Sequence, residues 1–389
     1  MHNLRHPAGC SAWRNAVAIL KPVLGFWRLA LNDLRRRAPP SATPEDRLLA
    51  AEAWLCRAQD ASSDGGVSYG YSLRGGWRSS YPETSGYIAT TFLRLAGRRE
   101  PSYAARAGRI LSWLLAIQNG DGSFANRRYG RRGIVFDTGQ ILFGLIRGHQ
   151  ATGSPELLGA ARRAADWLTR IADSDLRWTR NEHLDTPHVY NTRTAWALLL
   201  MNAIEFDPQR DAVARSNLDW ALQEQQPSGF FDHCAFERGQ APFTHTIAYT
   251  ARGLLESGML LDEHRYFDGA QRCADAVLRQ LGADGHLPSM LTLDGTPASS
   301  SCCLTGNCQF AIIWARLHAC VGGKSYRTGI VRALDRVMAT QDLDARDPGI
   351  RGGIKGSHPV WGRYAPMSLP NWAAKFFVDA MWLRQDLSP

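Results

Sequence analysis

Two carboxylates, Glu83 in "YPETSGYIATTF" and Asp137 in "FDTGQILFGLI", occupy the same place in two segments that begin polar and continue apolar. Side by side in a cavity, two such groups have their pKa values pushed apart, leaving one as general acid and the other as base, as in sugar-bond cleavage. A plainer role competes, because carboxylates are favoured in the first turn of any helix. Tyr190, His245 and Tyr249 form a second set, with His245 and Tyr249 four residues apart and so one turn along the same helical face. Tyrosine and histidine are suited to moving a proton to or from a carbon next to a carboxylate, provided that a cation or amide neutralises that carboxylate. Arg193 and Lys375 are the candidates for that task, Arg193 through two parallel hydrogen bonds, with Asn191 and Asn371 as neutral helpers. In a purely structural role Arg193 would pair with Asp137 or Glu83, and His245 would be a satisfied core residue.

Further binding groups cluster at the same segment starts: Tyr81, Gln140, His188, Asn307 and Gln309. Loop aromatics, chiefly Trp77, Tyr129, Trp178, Trp361 and Tyr364, are expected to be exposed and to stack on sugar faces, while Arg78, Arg131 and Arg132 attract acidic groups. Packing the loops together is their plainer use. Asp232, His233 and Cys234 in "DHC", with Cys308 in "CCLTGNC", offer zinc-ligand types. No C-x-x-C pair accompanies them, so no metal and no cofactor are expected.

What positions these groups is a repeat. An amphipathic helix, a Gly-rich loop and a more apolar helix recur six times, every 50–65 residues or so. The amphipathic members include "RLLAAEAWLCRAQD" and "ELLGAARRAADWLTRI"; in the latter Leu157, Ala160, Ala161, Ala164, Ala165 and Leu168 form a helical stripe, with Arg162, Arg163 and Asp166 outside it. The apolar members start at Tyr81, Phe136, Tyr190, Thr244, Thr305 and Leu369. Helices apolar nearly all round are buried, so these form an inner ring inside the amphipathic outer one. Neither terminal unit has the polar outer face that an open solenoid needs. The pattern predicts an all-α fold, a closed α/α toroid of six helix pairs over residues 45–389, preceded by a basic amphipathic extension over 1–44. Six loops and six inner-helix starts then converge on one cavity, whose unpaired N–H groups suit oxygen-rich or anionic ligands.

Gln118, Gly122 and Phe124 in "QNGDGSF", and more loosely Gln226, Gly229 and Phe231, resemble the Q-x-x-x-G-x-W repeat of the squalene cyclase and protein prenyltransferase β-subunit superfamily, with Phe where those families prefer Trp. The resemblance implies the toroid over most of the chain. It does not extend to the D-x-D-D acid motif of terpene cyclases, since "DSDL" at 173 and "DLDA" at 342 lack the last carboxylate. The same toroid with a polar cleft is similar to six-hairpin glycosidases, toroidal polysaccharide lyases and glucuronyl C5-epimerases, which implies a glycan substrate. Zinc held inside toroids by Asp, Cys and His is a feature of prenyltransferases and lanthionine cyclases, whose "CHG" order is missing here.

A net charge of +9 suits an acidic partner, and the absence of zinc-finger, RNP or basic-zipper patterns argues against nucleic acid. Eight cysteines without regular spacing read as reduced thiols and favour the cytoplasm. The apolar patch "NAVAILKPVLGFWRLAL" is too short and too charged to span a bilayer; it is expected to pack on the domain or rest on a membrane surface. The expected activity is carbohydrate-active: proton abstraction and return at a sugar carbon of a uronate-containing polysaccharide, as in a C5-epimerase or lyase, or glycosidic hydrolysis by Glu83 and Asp137. The alternatives are an isoprenoid cyclase or prenyltransferase and a non-catalytic toroid that binds glycan or peptide.

Overall fold

The computed structural model describes residues 29–34, 42–126 and 130–387. Most of the predicted extension, together with Tyr129, lies outside them. The chain alternates outer and inner helices in six pairs: α1 (Pro44–Asp60) with α2 (Pro82–Arg98), α3 (Ser102–Ile117) with α4 (Val135–Thr152), and α5 (Pro155–Ile171) with α6 (Thr192–Asn202). Then follow α7 (Pro208–Gln223) with α8 (Thr244–Leu261), α9 (His264–Arg279) with α10 (Leu304–Val321), and α11 (Lys324–Ala339) with α12 (Asn371–Asp386). Short strands β1 (Gly70–Ser72), β2 (Gly76–Trp77) and β5 (Ser368–Pro370) form one small sheet in the order β2-β1-β5, and β3 (Cys302–Cys303) pairs with β4 (Ser357–His358). These strands, absent from the all-α expectation, tie the loops before α2, α10 and α12 to one another.

Burial divides the two rings as the hydrophobic patterning requires. On α5 the expected stripe is buried and Arg162, Arg163 and Asp166 are exposed. The inner helix α4 buries nearly every residue from Val135 to Ile146. Each fully buried Leu or Ile in this layer is worth roughly 1.5–3 kcal/mol relative to exposure. Neighbouring inner helices come close because small residues stand at their crossings. A Cβ on Gly86 would lie 2.5 Å from Ile141 Cα, and one on Gly144 2.3 Å from the Gly86 carbonyl oxygen, so α2 and α4 touch backbone to backbone. That crossing sets Glu83 and Asp137 on adjacent walls.

The outer loops carry a recurring joint. Gln118 Nε2 donates to the carbonyls of Gly122 (3.0 Å), in its own turn, and Ala160 (2.9 Å), on the next outer helix. Gln225 Nε2 does the same with Gly229 (3.0 Å) and Gly269 (2.8 Å). Gln59 uses Gly65 and Arg106, and Gln341 uses Gly352 and Arg47. The second repeat copy is therefore Gln225-Gly229-Phe231, with the spacing of Gln118-Gly122-Phe124; the side chain of Gln226, named from the sequence, donates only to the Glu224 carbonyl at 3.3 Å. Gly122, Gly229 and Gly352 have positive φ and would each press a Cβ onto a carbonyl of the next outer helix, those of Arg163, Arg272 and Ala50 respectively. Through Gln341 and Gly352 the sixth loop thus grips α1, and α12 packs on α1 and α2.

Candidate functional site

Side-chain caps are commoner on the outer ring, where three of six helices have one, than on the inner ring, where only α10 does, through Cys303 Sγ and the Gly306 N–H. Thr43, Ser154 and Asp207 cap α1, α5 and α7 with side-chain hydrogen bonds, so sequence and helix end agree there. The N-cap positions of α2, α4, α6, α8 and α12, which are Tyr81, Ile134, Asn191, Phe243 and Pro370, make no such bond. Glu83 and Asp137 are not caps either; both lie in the first turn, buried, at 8% and 5% exposure. The third inner helix is entered through a 3-10 turn, Val189–Asn191, so Tyr190 and Asn191 precede α6 rather than opening it.

A third carboxylate joins this pair. Glu182, in the loop before α6, is buried and accepts from Asn191 Nδ2 at 2.8 Å through Oε2, while its Oε1 and Asp137 Oδ2 are buried without a hydrogen-bond partner. Burial pushes Glu83 up to about 7, a rise opposed by the Tyr81 hydroxyl and the Arg193 charge. Burial pushes Glu182 up to about 8 against the hydrogen bond from Asn191. Asp137 lies well above the carboxylate range because it is buried and because the charges of Glu83 and Glu182 oppose its own. The arrangement makes Asp137 the proton holder and Glu83 the more readily ionised partner.

Arg193 lies deeper, buried, with Nε donating to Gln140 Oε1 at 2.8 Å. Its guanidinium lies over the rings of Tyr249 (5.0 Å), Phe143 (5.3 Å) and Trp196 (5.6 Å), and among the described residues it has no carboxylate partner. Gln140 Nε2 is a buried donor without an acceptor. The His245 ring lies 4.3 Å from that of Tyr249 and 4.9 Å from that of Tyr364. Its Nδ1 is 2.8 Å from Gln309 Oε1, an acceptor, so the proton sits on Nδ1 and Nε2 keeps a lone pair. Burial drives His245 down to about 3 despite that bond, and the ring is neutral. His188 stacks on Tyr190 at 4.5 Å, and Tyr190 meets Phe136 edge-on at 5.2 Å.

Several named residues are committed elsewhere. Lys375 pairs with Asp379 at 2.5 Å, one turn along α12, and Asp379 also accepts from Thr91 and Arg94. Asn191 holds Glu182. Asn307 donates to the Gly285 and Ala333 carbonyls, and Asn371 to the Ser68 carbonyl and Thr84 Oγ1. Among the loop aromatics Trp361 is exposed, but Trp178 is buried in the core, with its indole N–H satisfied by the Leu168 carbonyl. Trp77 packs on Trp54 and Tyr71, and Tyr364 is buried beside His245. The four zinc-type residues are not brought together: Asp232 and His233 gather with Glu224 on the exterior, while Cys234 is buried against Thr250 and Cys308 is buried in the core. The seven described cysteines are all free. Among the described residues no helix is long and apolar enough to cross a membrane.

With the geometry in place, comparison with known proteins gives one consistent fold. Residues 81–254 match the squalene-hopene cyclase C-terminal domain model. The unsaturated glucuronyl hydrolase of Bacillus sp. GL1, described as responsible for glycosaminoglycan degradation, superposes with a TM-score of 0.69 at 15% identity, over 89% of this chain and 97% of its own. The chain is an α/α-toroid protein. Cellobiose 2-epimerase from Bacillus thermoamylovorans aligns with TM-score 0.67 at 11% identity over 93% and 99% of the two chains. A D-mannose isomerase gives 0.68 at 12% over 89% and 97%. No curated protein matches the sequence.

Proposed function

We propose that this toroid is a carbohydrate-active enzyme that cleaves a bond at an acidic sugar by acid-base catalysis between Asp137 and Glu83. The observation that carries the reading is the pair itself: two buried, non-capping carboxylates on helices held in contact by Gly86 and Gly144, with environments that push them apart. Asp137 donates its proton to the leaving oxygen as the carbon–oxygen bond breaks. Glu83 takes a proton from the incoming water, whose oxygen forms the new bond. Arg193, a cation with no carboxylate in ion-pair contact among the described residues, receives the carboxylate of a uronate, and Gln140 Nε2 and Asp137 Oδ2 meet its hydroxyls. Three of the structurally similar proteins are named as a glucuronyl hydrolase, an epimerase and an isomerase, which fits a sugar ligand.

A second reading has its own observation. His245 is neutral, oriented by Gln309 and in contact with Tyr249, the arrangement that proton abstraction from a sugar carbon requires. Incubation with a panel of acidic oligosaccharides in deuterated water, followed by NMR, separates the two. New reducing ends without deuterium on carbon support cleavage by the carboxylates. Deuterium at C5 without cleavage supports the His245 route, and 4,5-unsaturation would mark a lyase. Binding of glycans without turnover would overturn both in favour of a non-catalytic toroid.

A further inference from the structure

Residues 29–34 are helical, and one of them reaches into the far side of the molecule's largest rim loop. Leu29 and Ala30 are buried, and Leu29 joins the main core. The Asp33 carboxylate is 4% exposed and binds three donors of one loop: Lys355 Nζ and His358 Nδ1 (3.2 Å) at Oδ1, and the Val360 backbone N–H (2.8 Å) at Oδ2. Lys355 is itself 2% exposed, so the charge pair is desolvated on both sides and depends on its geometry.

That loop carries a wall of the site. Ser357 Oγ donates to the Tyr364 carbonyl (2.6 Å) and accepts the Tyr364 N–H (3.1 Å), and Met367 N–H bonds the Val360 carbonyl at 2.8 Å. Tyr364 then touches two groups of the candidate site. Its ring lies 4.9 Å from His245, and its hydroxyl accepts from Trp372 Nε1 at 2.8 Å. Trp372 in turn packs against Tyr81, the neighbour of Glu83.

We propose that Asp33 is a positioning residue for the site: the 29–34 segment straps the 355–367 loop and fixes Tyr364 between His245 and Trp372. The proposal concerns geometry and stands whichever reaction the site performs, so its test uses no substrate. In full-length protein, the His245 Cε1–H resonance reports the Tyr364 ring current, with Tyr364→Leu supplying the reference for a ring removed. Asp33→Ala should move the resonance toward that reference. It should also raise amide exchange at 355–367 at least tenfold, while peptides from α5 and α7 keep their wild-type rates. Asp33→Asn, which keeps an acceptor for the Val360 N–H, should restore part of both effects. A folded Asp33→Ala protein with the His245 resonance and the 355–367 exchange both unchanged would overturn the proposal. So would an increase in exchange spread evenly over the chain, since that marks a general loss of stability.

Discussion

Arg193 donates through Nε to Gln140 Oε1 at 2.8 Å, and the buried guanidinium is matched by rings and an amide rather than by an acid of the described chain. Burying a cation without a counter-ion is costly, and a ligand carboxylate would relieve that cost. Arg193→Gln should therefore weaken binding of uronate oligosaccharides roughly 10–100-fold, the worth of hydrogen bonds to a charged group, while neutral sugars are affected far less. Calorimetric titration with matched uronate and neutral oligosaccharides checks this.

The carboxylate pair sets a pH profile. Glu83 acts as base only when ionised, above about 7, and Asp137 acts as acid only while protonated, a state that burial and its negative neighbours prolong. Turnover should rise through about pH 7 and fall at higher pH, the two limbs belonging to the pair rather than to either residue. Glu83→Gln should lower kcat by about 10²-fold or more and remove the rising limb, as a pH–rate series on an active substrate would report.

Glu182 carries a stability signature of its own. Its native pKa of about 8 exceeds the ordinary 4.5, so the folded state keeps a proton that the unfolded chain releases. Below pH 4.5 both states are protonated and there is no penalty; stability then falls as pH rises toward 8, by up to a few kcal/mol from this group. Glu182→Gln should retain an acceptor for Asn191 and flatten the decline of melting temperature between pH 5 and pH 8. Parallel melts of the two proteins decide it, and equal slopes would count against the assignment.

His245 gives the opposite sign. Burial depresses it to about 3, so its contribution to stability is present above the ordinary 6.5 and is lost as pH falls toward 3. Its Cε1–H shift should show no titration between pH 5 and pH 8. Gln309→Leu removes the acceptor for Nδ1–H and should lower any deuterium incorporation at a sugar carbon more than it lowers cleavage.

The glutamine joint is tested by neighbours. Gln225→Ala leaves the buried Gly229 and Gly269 carbonyls without their donor and should cost about 1–3 kcal/mol in urea unfolding. Gln226→Ala, which loses one 3.3 Å contact, should cost less than about 0.5 kcal/mol.

The ring of helices was legible because an all-round apolar run such as "ILFGLI" can only be interior, and because Leu157 to Leu168 repeats at helical spacing. Glu83 and Asp137 were legible for a related reason: an acid at the head of such a run is out of place. Glu182 was not, since it stands in an irregular loop and meets Asp137 only through the fold. Lys375 misled because Asp379, its partner, reads as one more charge on a terminal helix until both prove buried. Gln225 and Gln226 are adjacent in "QEQQPSGFF", and only the four-residue step to the turn glycine, shared with Gln118 and Gly122, distinguishes them.

The joint made by Gln341 and Gly352 on α1 has a topological corollary. It fastens the last unit to the first with the same two kinds of contact that fasten covalently consecutive units elsewhere. Spatial neighbourhood and chain order are thus separable properties of this molecule, and the backbone break between units six and one is mechanically equivalent to a severed turn between an inner helix and the next outer one. A circularly permuted chain that moved that break to the turn between α4 and α5 would keep every glutamine clamp in place.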